Sequence, residues 1–269
     1  MYYLNRLLSG LCCVAILGLT IDSRALSAEE ITVLYIGDAD SAAHLGARQG
    51  LTEANAQGEF MGIQYRLVSQ TEIGEMLTVP VAIISDVDAS RLVQLADQYQ
   101  YLPLFNLTAK DLSLREDCIP NLLHVGPSEA MLRDAERQWR QHAPDSSARA
   151  RAWHRSFRKY AAAQLNIRFK EQFKLAMDDD AWAGWAAMKL LADTMVRQPS
   201  LAGEQLIAEL KINLAFDGQK GRDMGFRETG QLRQPLLLVE MDKIIGEAPV
   251  RGAVDSSDLD SLGLPFCPK

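Results

Sequence analysis

Apolar and polar positions first fall into short runs separated by polar, helix-like stretches. Residues 31–37 are apolar apart from Thr32 and end in Gly37, as a strand buried on both faces of a parallel sheet does. Ser41 opens a segment reaching 57 in which Ala43, Ala47, Leu51 and Ala54 share one helical face, with Gly58 at its exit. Further strands are predicted at 63–68, 79–85, 102–107 and 121–126. Between them fall a short crossover turn near 73–77 and a helix over 89–99. This alternation predicts an α/β fold, a doubly wound, mostly parallel sheet with helices on both faces.

After Gly126 the alternation stops. No strand-like run is read from 128 to 210. Ser128 caps a predicted helix reaching 141, with Glu129 in its first turn, and 144–147 is a polar break. Helical patterns follow near 149–175 and 178–197, the second starting at Asp178-Asp179-Asp180. Trp182, Trp185, Met188, Leu191 and Met195 recur at helical spacing and read as one buried stripe of core. Two last strands, 235–241 and 243–246, fit a hairpin around Asp242, and the tail to Lys269 is polar and irregular.

The start of the chain has a different pattern. Arg6 precedes fifteen uncharged residues, 7–21, and Ala25-Leu26-Ser27 offers small residues where a signal peptidase reads. Residues 1–27 are therefore expected to be a secretory signal cut before Ala28, leaving 28–269 as a single domain. The apolar run falls short of the ~20 residues that span a bilayer, and no later run reaches that length, so the mature protein is expected not to span a membrane. Without the signal the chain carries 26 basic and 34 acidic residues, which argues against a nucleic-acid partner. It also retains only Cys118 and Cys267. In an oxidising compartment they most simply form one disulfide, with two buried free thiols as the alternative.

Chemistry is sparse. The sequence has no GxGxxG, P-loop, GxSxG, HExxH or CxxC motif, and none of its four His has a partner at metal-ligand spacing. No catalytic residue, metal site or cofactor is assigned, and the chain is read as a non-enzyme. Asp255, Asp258 and Asp260 hint at a calcium loop, but Leu262 and Lys269 stand where oxygen ligands belong. Residues 133–174 hold eleven Lys and Arg against four Asp and Glu. A solvated helix face is the usual explanation for such a run; the other reading makes Arg149, Arg151, Arg155, Arg158 and Lys159 within it a candidate docking patch for an acidic partner. In a parallel sheet, ligands bind beyond the carboxyl ends of the strands. Those ends carry Asp38, Asp40, Ser85, Asp86, Asn106 and Thr108, a candidate ligand-binding half-site.

The same stretches carry a resemblance. The opening strand, Gly50-Leu51 and Ala54-Asn55 in the first helix, then Gly58 and Gly62, resemble the first lobe of periplasmic binding proteins of the branched-chain amino-acid type. Phe105-Asn106, Leu114-Arg115, Asp117-Cys118, Asn121-Leu122-Leu123-His124, Pro127-Ser128 and Ala130-Met131 are similar to a narrower subgroup. That subgroup is the substrate-binding proteins associated with pyrroloquinoline-quinone-dependent alcohol dehydrogenase systems. Gln164-Leu165-Asn166, Arg168-Phe169, Trp182, Trp185, Phe226-Arg227, Gln231 to Pro235, Leu259 to Gly263 and Cys267 continue the match. The resemblance implies a lobe that grips one end of a ligand through hydroxyls and backbone amides, and both cysteines recur in it, which strengthens the disulfide reading.

It also implies a second lobe, whose strands belong between Pro127-Ser128 and Gln164-Leu165. Here that interval holds one helix, a polar break and the basic run, so the second lobe is expected to be reduced or absent, a helical remnant around 128–160. Two functions follow as expectations. One is a non-catalytic periplasmic component acting through contacts with a quinoprotein dehydrogenase or its cytochrome. The other is a solute receptor delivering a small metabolite to an ABC permease.

Overall fold

The computed structural model describes residues 29–71 and 79–268. The expected signal at 1–27 and the expected turn at 73–77 lie outside the described residues. Strands β1 (Glu29–Ile36), β2 (Ile63–Gln70), β3 (Ala82–Ser85), β4 (Leu104–Asn106) and β5 (Leu122–His124) form one parallel sheet. Its order is β2-β1-β3-β4-β5, so the winding direction reverses between β1 and β3. Strand periodicity divides the side chains between two layers. Ile31, Val33 and Tyr35 of β1, with Ile84, Phe105 and Leu123, face helices α1 (Ala42–Gly58) and α6 (Asp179–Arg197). Leu34, Ile36, Ile83, Leu104 and Leu122 face helices α2 (Ala89–Gln98) and α3 (Ser113–Glu116). The doubly wound α/β fold read from the alternation is present.

Helix α6 is apolar on nearly every side and buried along most of its length, from Ala181 to Met195, including the predicted Trp and Met stripe. It lies against α1 at backbone distance. A Cβ on Gly46 would meet the Ala181 carbonyl at 1.8 Å, and one on Gly184 would meet the Ala43 carbonyl at 1.9 Å. Trp182 Nε1 donates to the Gly218 carbonyl at 3.1 Å, and the buried Lys220 ammonium sits 3.7 Å over the Trp182 ring while donating to Gln234 Oε1 at 2.7 Å. These contacts fasten the 213–235 segment onto α6, beside helix α7 (Gly203–Ile212).

A second, antiparallel sheet joins β6 (Arg149–Arg151), β7 (Leu236–Glu240) and β8 (Lys243–Ala248). Leu236 and Leu238 face helix α4 (Glu129–His142) through Met131 and Ala135, whereas Leu237 joins the large core under α6. The expected hairpin turns through Met241 and Asp242, both at positive φ (45° and 63°), the geometry that two-residue hairpin loops favour. Two expectations are corrected here. The stretch from 128 to 210 does contain a strand, β6, so the segment 128–160 is helical only to His142. The helix expected from 149 begins at Ala162 as α5 (Ala162–Phe173). β6 forms because Ala148, Ala150 and Ala152 alternate inward with Arg149 and Arg151 outward, a period of two.

The tail is held rather than loose. Asp260 accepts from Arg227 Nε at 2.8 Å and from Arg233 Nε at 2.9 Å, and Gly263 N donates to Asp134 at 2.8 Å. Asp255 and Asp258 accept from backbone N–H groups two residues on, so the three Asp that hinted at calcium build turns and an ion pair. The disulfide Cys118–Cys267 is formed, with Cα atoms 6.1 Å apart across 149 positions. In the chain-entropy model such a closure contributes roughly 5 kcal/mol.

Two buried histidines couple the sheet to pH. His124 accepts at Nδ1 from Asn106 Nδ2 (2.9 Å), so its proton is on Nε2, which finds no acceptor among the described residues. Burial, aided by the Arg115 cation, holds its pKa well below the ordinary histidine value. His44 donates from Nδ1 to the Ala39 carbonyl and accepts at Nε2 from Ser69 Oγ at 2.8 Å, and burial lowers its pKa as well. In both cases the unfolded chain takes up the proton first as pH falls through about 6.5, so stability is full above that value and declines below it.

Two outcomes are expected. Denaturant titrations between pH 7.5 and 5.5 should show unfolding free energy falling towards acid, by up to ~1.4 kcal/mol per pH unit for each histidine. The double variant His44→Gln/His124→Gln should flatten that slope; an unchanged slope would assign it to other groups. Gly184→Ala should cost about 3 kcal/mol or more, because the two helices must part. Gly225→Ala, with nothing within 4 Å of the added carbon, should stay within ~0.5 kcal/mol.

Candidate functional site

The register across β1, β3, β4 and β5 aligns Ile36, Ser85, Asn106 and His124 in one row at the carboxyl ends of the strands. This is where the candidate half-site lies, and all of its side chains but the exposed Asp40 carboxylate have a partner inside the protein. Ser85 Oγ donates to the Ile36 carbonyl at 2.8 Å. Asn106 donates from Nδ2 to the Ala109 carbonyl (2.8 Å) and to His124, and its Oδ1 accepts from Ala109 N at 3.0 Å. Both side chains are buried, at 0% and 1% exposure, so neither faces a ligand. Thr108 Oγ1 donates to the Asp86 carbonyl at 3.1 Å.

The crevice between β1 and β3, where the winding reverses, is occupied by Asp86. A Cβ on Gly37 would lie 1.6 Å from Asp86 Oδ1, and Asp38 N donates to the same oxygen at 3.2 Å. Gly37 is needed there twice over, for that approach and for its φ of 151°. Asp38 in turn accepts from Asp40 N at 2.9 Å, forming the turn into α1. The Tyr35 hydroxyl lies 3.1 Å from Ser41 Oγ, and burial, with Asp86 and Asp38 nearby, pushes its pKa up. Asp180, at the start of α6, is also raised, by burial first and then by the Asp178 carboxylate, with Lys110 opposing. The rim thus presents carboxylates rather than free hydroxyls, and an anionic group placed there meets repulsion.

The candidate docking patch lies on the other side of the α6 N-terminus. Arg149 pairs with Glu136 at 3.4 Å, Arg151 with Asp179 at 3.4 Å, Arg155 with Asp242, and Lys159 with Glu247 at 2.6 Å. Arg155, ahead of His154, holds the Asp242 carboxyl below its ordinary range. Asp179 also accepts from Trp153 N at 2.7 Å. Four of the five cations therefore clamp the 149–159 segment to α4, α6 and the hairpin. Arg158 is the exception, exposed and without an acidic partner among the described residues.

Three adjoining grooves open along this segment. The first, about 420 Å³, runs between Arg151, Trp153 and the Met241–Asp242 turn. The second, about 480 Å³, lies over Phe157, Ile167 and Met177, and shares Arg155 and Met177 with the first. The third, about 540 Å³, borders Ile244 to Glu247 of β8 and shares Phe157 and Arg158 with the second. Sequence reasoning located the cations here but missed Lys170, which lines the second groove, and the apolar Ile167 beside it. The signal was available: Ile167 and Lys170 stand three apart on α5, one helical face. No helix among the described residues is long and apolar enough to cross a membrane.

No protein-family model matches this sequence, and no curated protein matches it. Solved structures do. An ABC transporter substrate-binding protein from Desulfitobacterium hafniense is similar at a TM-score of 0.68 and 11% identity, over 80% of this chain and 99% of that one. The branched-chain amino acid transporter substrate-binding protein of Streptococcus pneumoniae, solved with isoleucine, gives 0.60 and 10%, over 81% and 99%. A leucine-binding protein from Thermotoga maritima gives 0.61 and 11%, over 81% and 98%. The neighbours are substrate-binding proteins rather than enzymes. At these identities the likeness speaks for architecture, and the chain has the α/β fold, with its mostly parallel central sheet, of a type I periplasmic binding-protein lobe.

Proposed function

We propose that this chain is a non-catalytic, periplasmic binding-protein-like component of a pyrroloquinoline-quinone-dependent alcohol oxidation system, acting through protein contacts. The observation that carries this reading is the rim: Ser85, Asn106 and Thr108, which by position would grip a solute, are spent on the protein's own carbonyls and amides. The subgroup motifs point to the system, with a quinoprotein dehydrogenase or its cytochrome as partner. Residues 1–27 act as the export signal. The small β6-β7-β8 sheet with α4 is read as the reduced second lobe. A second reading, the solute receptor of an ABC importer, is favoured by the solved neighbours, one of which carries isoleucine.

Association should be tested by co-purification with the dehydrogenase and cytochrome at graded salt. Arg158→Glu, which breaks no ion pair, should weaken it several-fold and reduce its salt dependence, since exposed charges mainly set encounter rates. Arg66→Glu, on the opposite edge of the large sheet, should leave it unchanged. Absence of association at low salt would sink the proposal. The receptor reading predicts instead that a ligand at a hundred times its Kd adds about 2.7 kcal/mol of stability. That would raise Tm by roughly 5–10 °C in a scan of amino acids, alcohols and aldehydes.

A further inference from the structure

The second groove differs from its neighbours in what it leaves unpaired. Its lining includes Arg155, Arg158 and Lys170 and no acidic residue, on a chain whose formal net charge is −7. Arg155 is committed to Asp242, but Arg158 and Lys170 have no carboxylate partner among the described residues. The floor is apolar: Phe157 and Met177 are buried at 3% and 1% exposure, and Ile167 stands 54% exposed along one wall. The remaining polar group, Asn166, is already satisfied, donating to the Phe157 carbonyl at 3.0 Å and accepting from Trp153 Nε1 at 3.0 Å. A concave apolar surface of about 480 Å³ edged by two free cations falls within the size range of small-molecule sites.

We infer that this groove binds a small organic monocarboxylate with an apolar body, its carboxylate between Arg158 and Lys170 and its body along Phe157, Ile167 and Met177. Guanidinium recognises carboxylate through paired N–H donors, and the apolar body gains from leaving water. An inorganic anion would use the cations and waste the floor; a neutral chain would use the floor and waste the cations. The site is separate from the acidic rim, and the inference stands whether or not the protein-contact reading holds.

Octanoate is the probe, titrated into the chain from Ala28 onward. Trp153 reports locally, because its indole N–H is held by the groove residue Asn166. The expected result is a saturable shift of the Trp153 indole resonance with octanoate. Octanamide and inorganic phosphate should each bind at least tenfold more weakly. Arg158→Glu and Lys170→Glu should each weaken octanoate at least tenfold with Tm unchanged, Arg158→Lys should retain most of the affinity, and Arg66→Ala should have no effect. No saturable shift at millimolar octanoate would overturn the inference, as would equal binding of octanamide or phosphate, or affinity indifferent to both charge reversals. Failure here with dehydrogenase association intact removes only this site; octanoate binding without association removes only the protein-contact reading.

Discussion

The approach of α6 to α1 at backbone distance is the constraint on which the rest of the molecule depends. Gly46 and Gly184 face the partner helix's carbonyls where a methyl group has no room, and Gly50 does the same against Met188. Because the helices touch there, α6 can be buried almost all round, with the large sheet on one side and the 213–235 segment on the other. Its placement sets two surfaces together. The Asp178–Asp180 end stands beside the acidic rim through Asp180 and beside the grooves through Asp179, which holds both Arg151 and the Trp153 amide.

The rim is closed by its own side chains. A doubly wound sheet leaves a crevice where its winding reverses, and a ligand there is normally met by unspent backbone and side-chain donors. In this chain Asp86 lies in that crevice against Gly37, and the donors on either side serve the fold. The polar row from Ser85 through Asn106 to His124 is buried, and buried polar groups in a dry interior are costly unless bonded. Ser85 and Asn106 are satisfied, which stabilises the sheet and leaves the same atoms with no capacity for a solute, whereas His124 spends only Nδ1, on Asn106.

The strand–helix alternation, the burial of both faces of the large sheet and the α6 stripe were legible because each depends on patterns repeated over many residues. Leu34 and Val33 go to opposite layers by alternation alone. β6 was not legible in the same way. Its three residues are too short for a window of helical length, and Ala is as good in a helix as it is small enough for this sheet. The Ala148-to-Ala152 alternation was present but was outvoted by the arginines around it, whose long side chains suit either element. The half-site residues lie at the strand ends, yet residue type and position do not reveal whether a hydroxyl faces a crevice or a neighbouring carbonyl. For Ser85 the answer is the Ile36 carbonyl, a contact that only the packed structure specifies.

Net charge of a segment has the same weakness as a guide to recognition. The run from 133 to 174 is strongly basic by count, but three of the patch's acidic partners are remote in sequence: Asp179, Asp242 and Glu247 arrive from α6 and the hairpin, while Glu136 of α4 holds Arg149. Exposed pairs of this kind add little stability individually, so their effect here is to hold the 149–159 segment in one path across the grooves. What recognition requires is charge left over once such pairs are made, next to apolar area that is itself uncovered. By that criterion Arg149, Arg151, Arg155 and Lys159 are fasteners. Arg158 is the member of the patch still free to meet another molecule, and α5 brings Lys170 and Ile167 to the same groove.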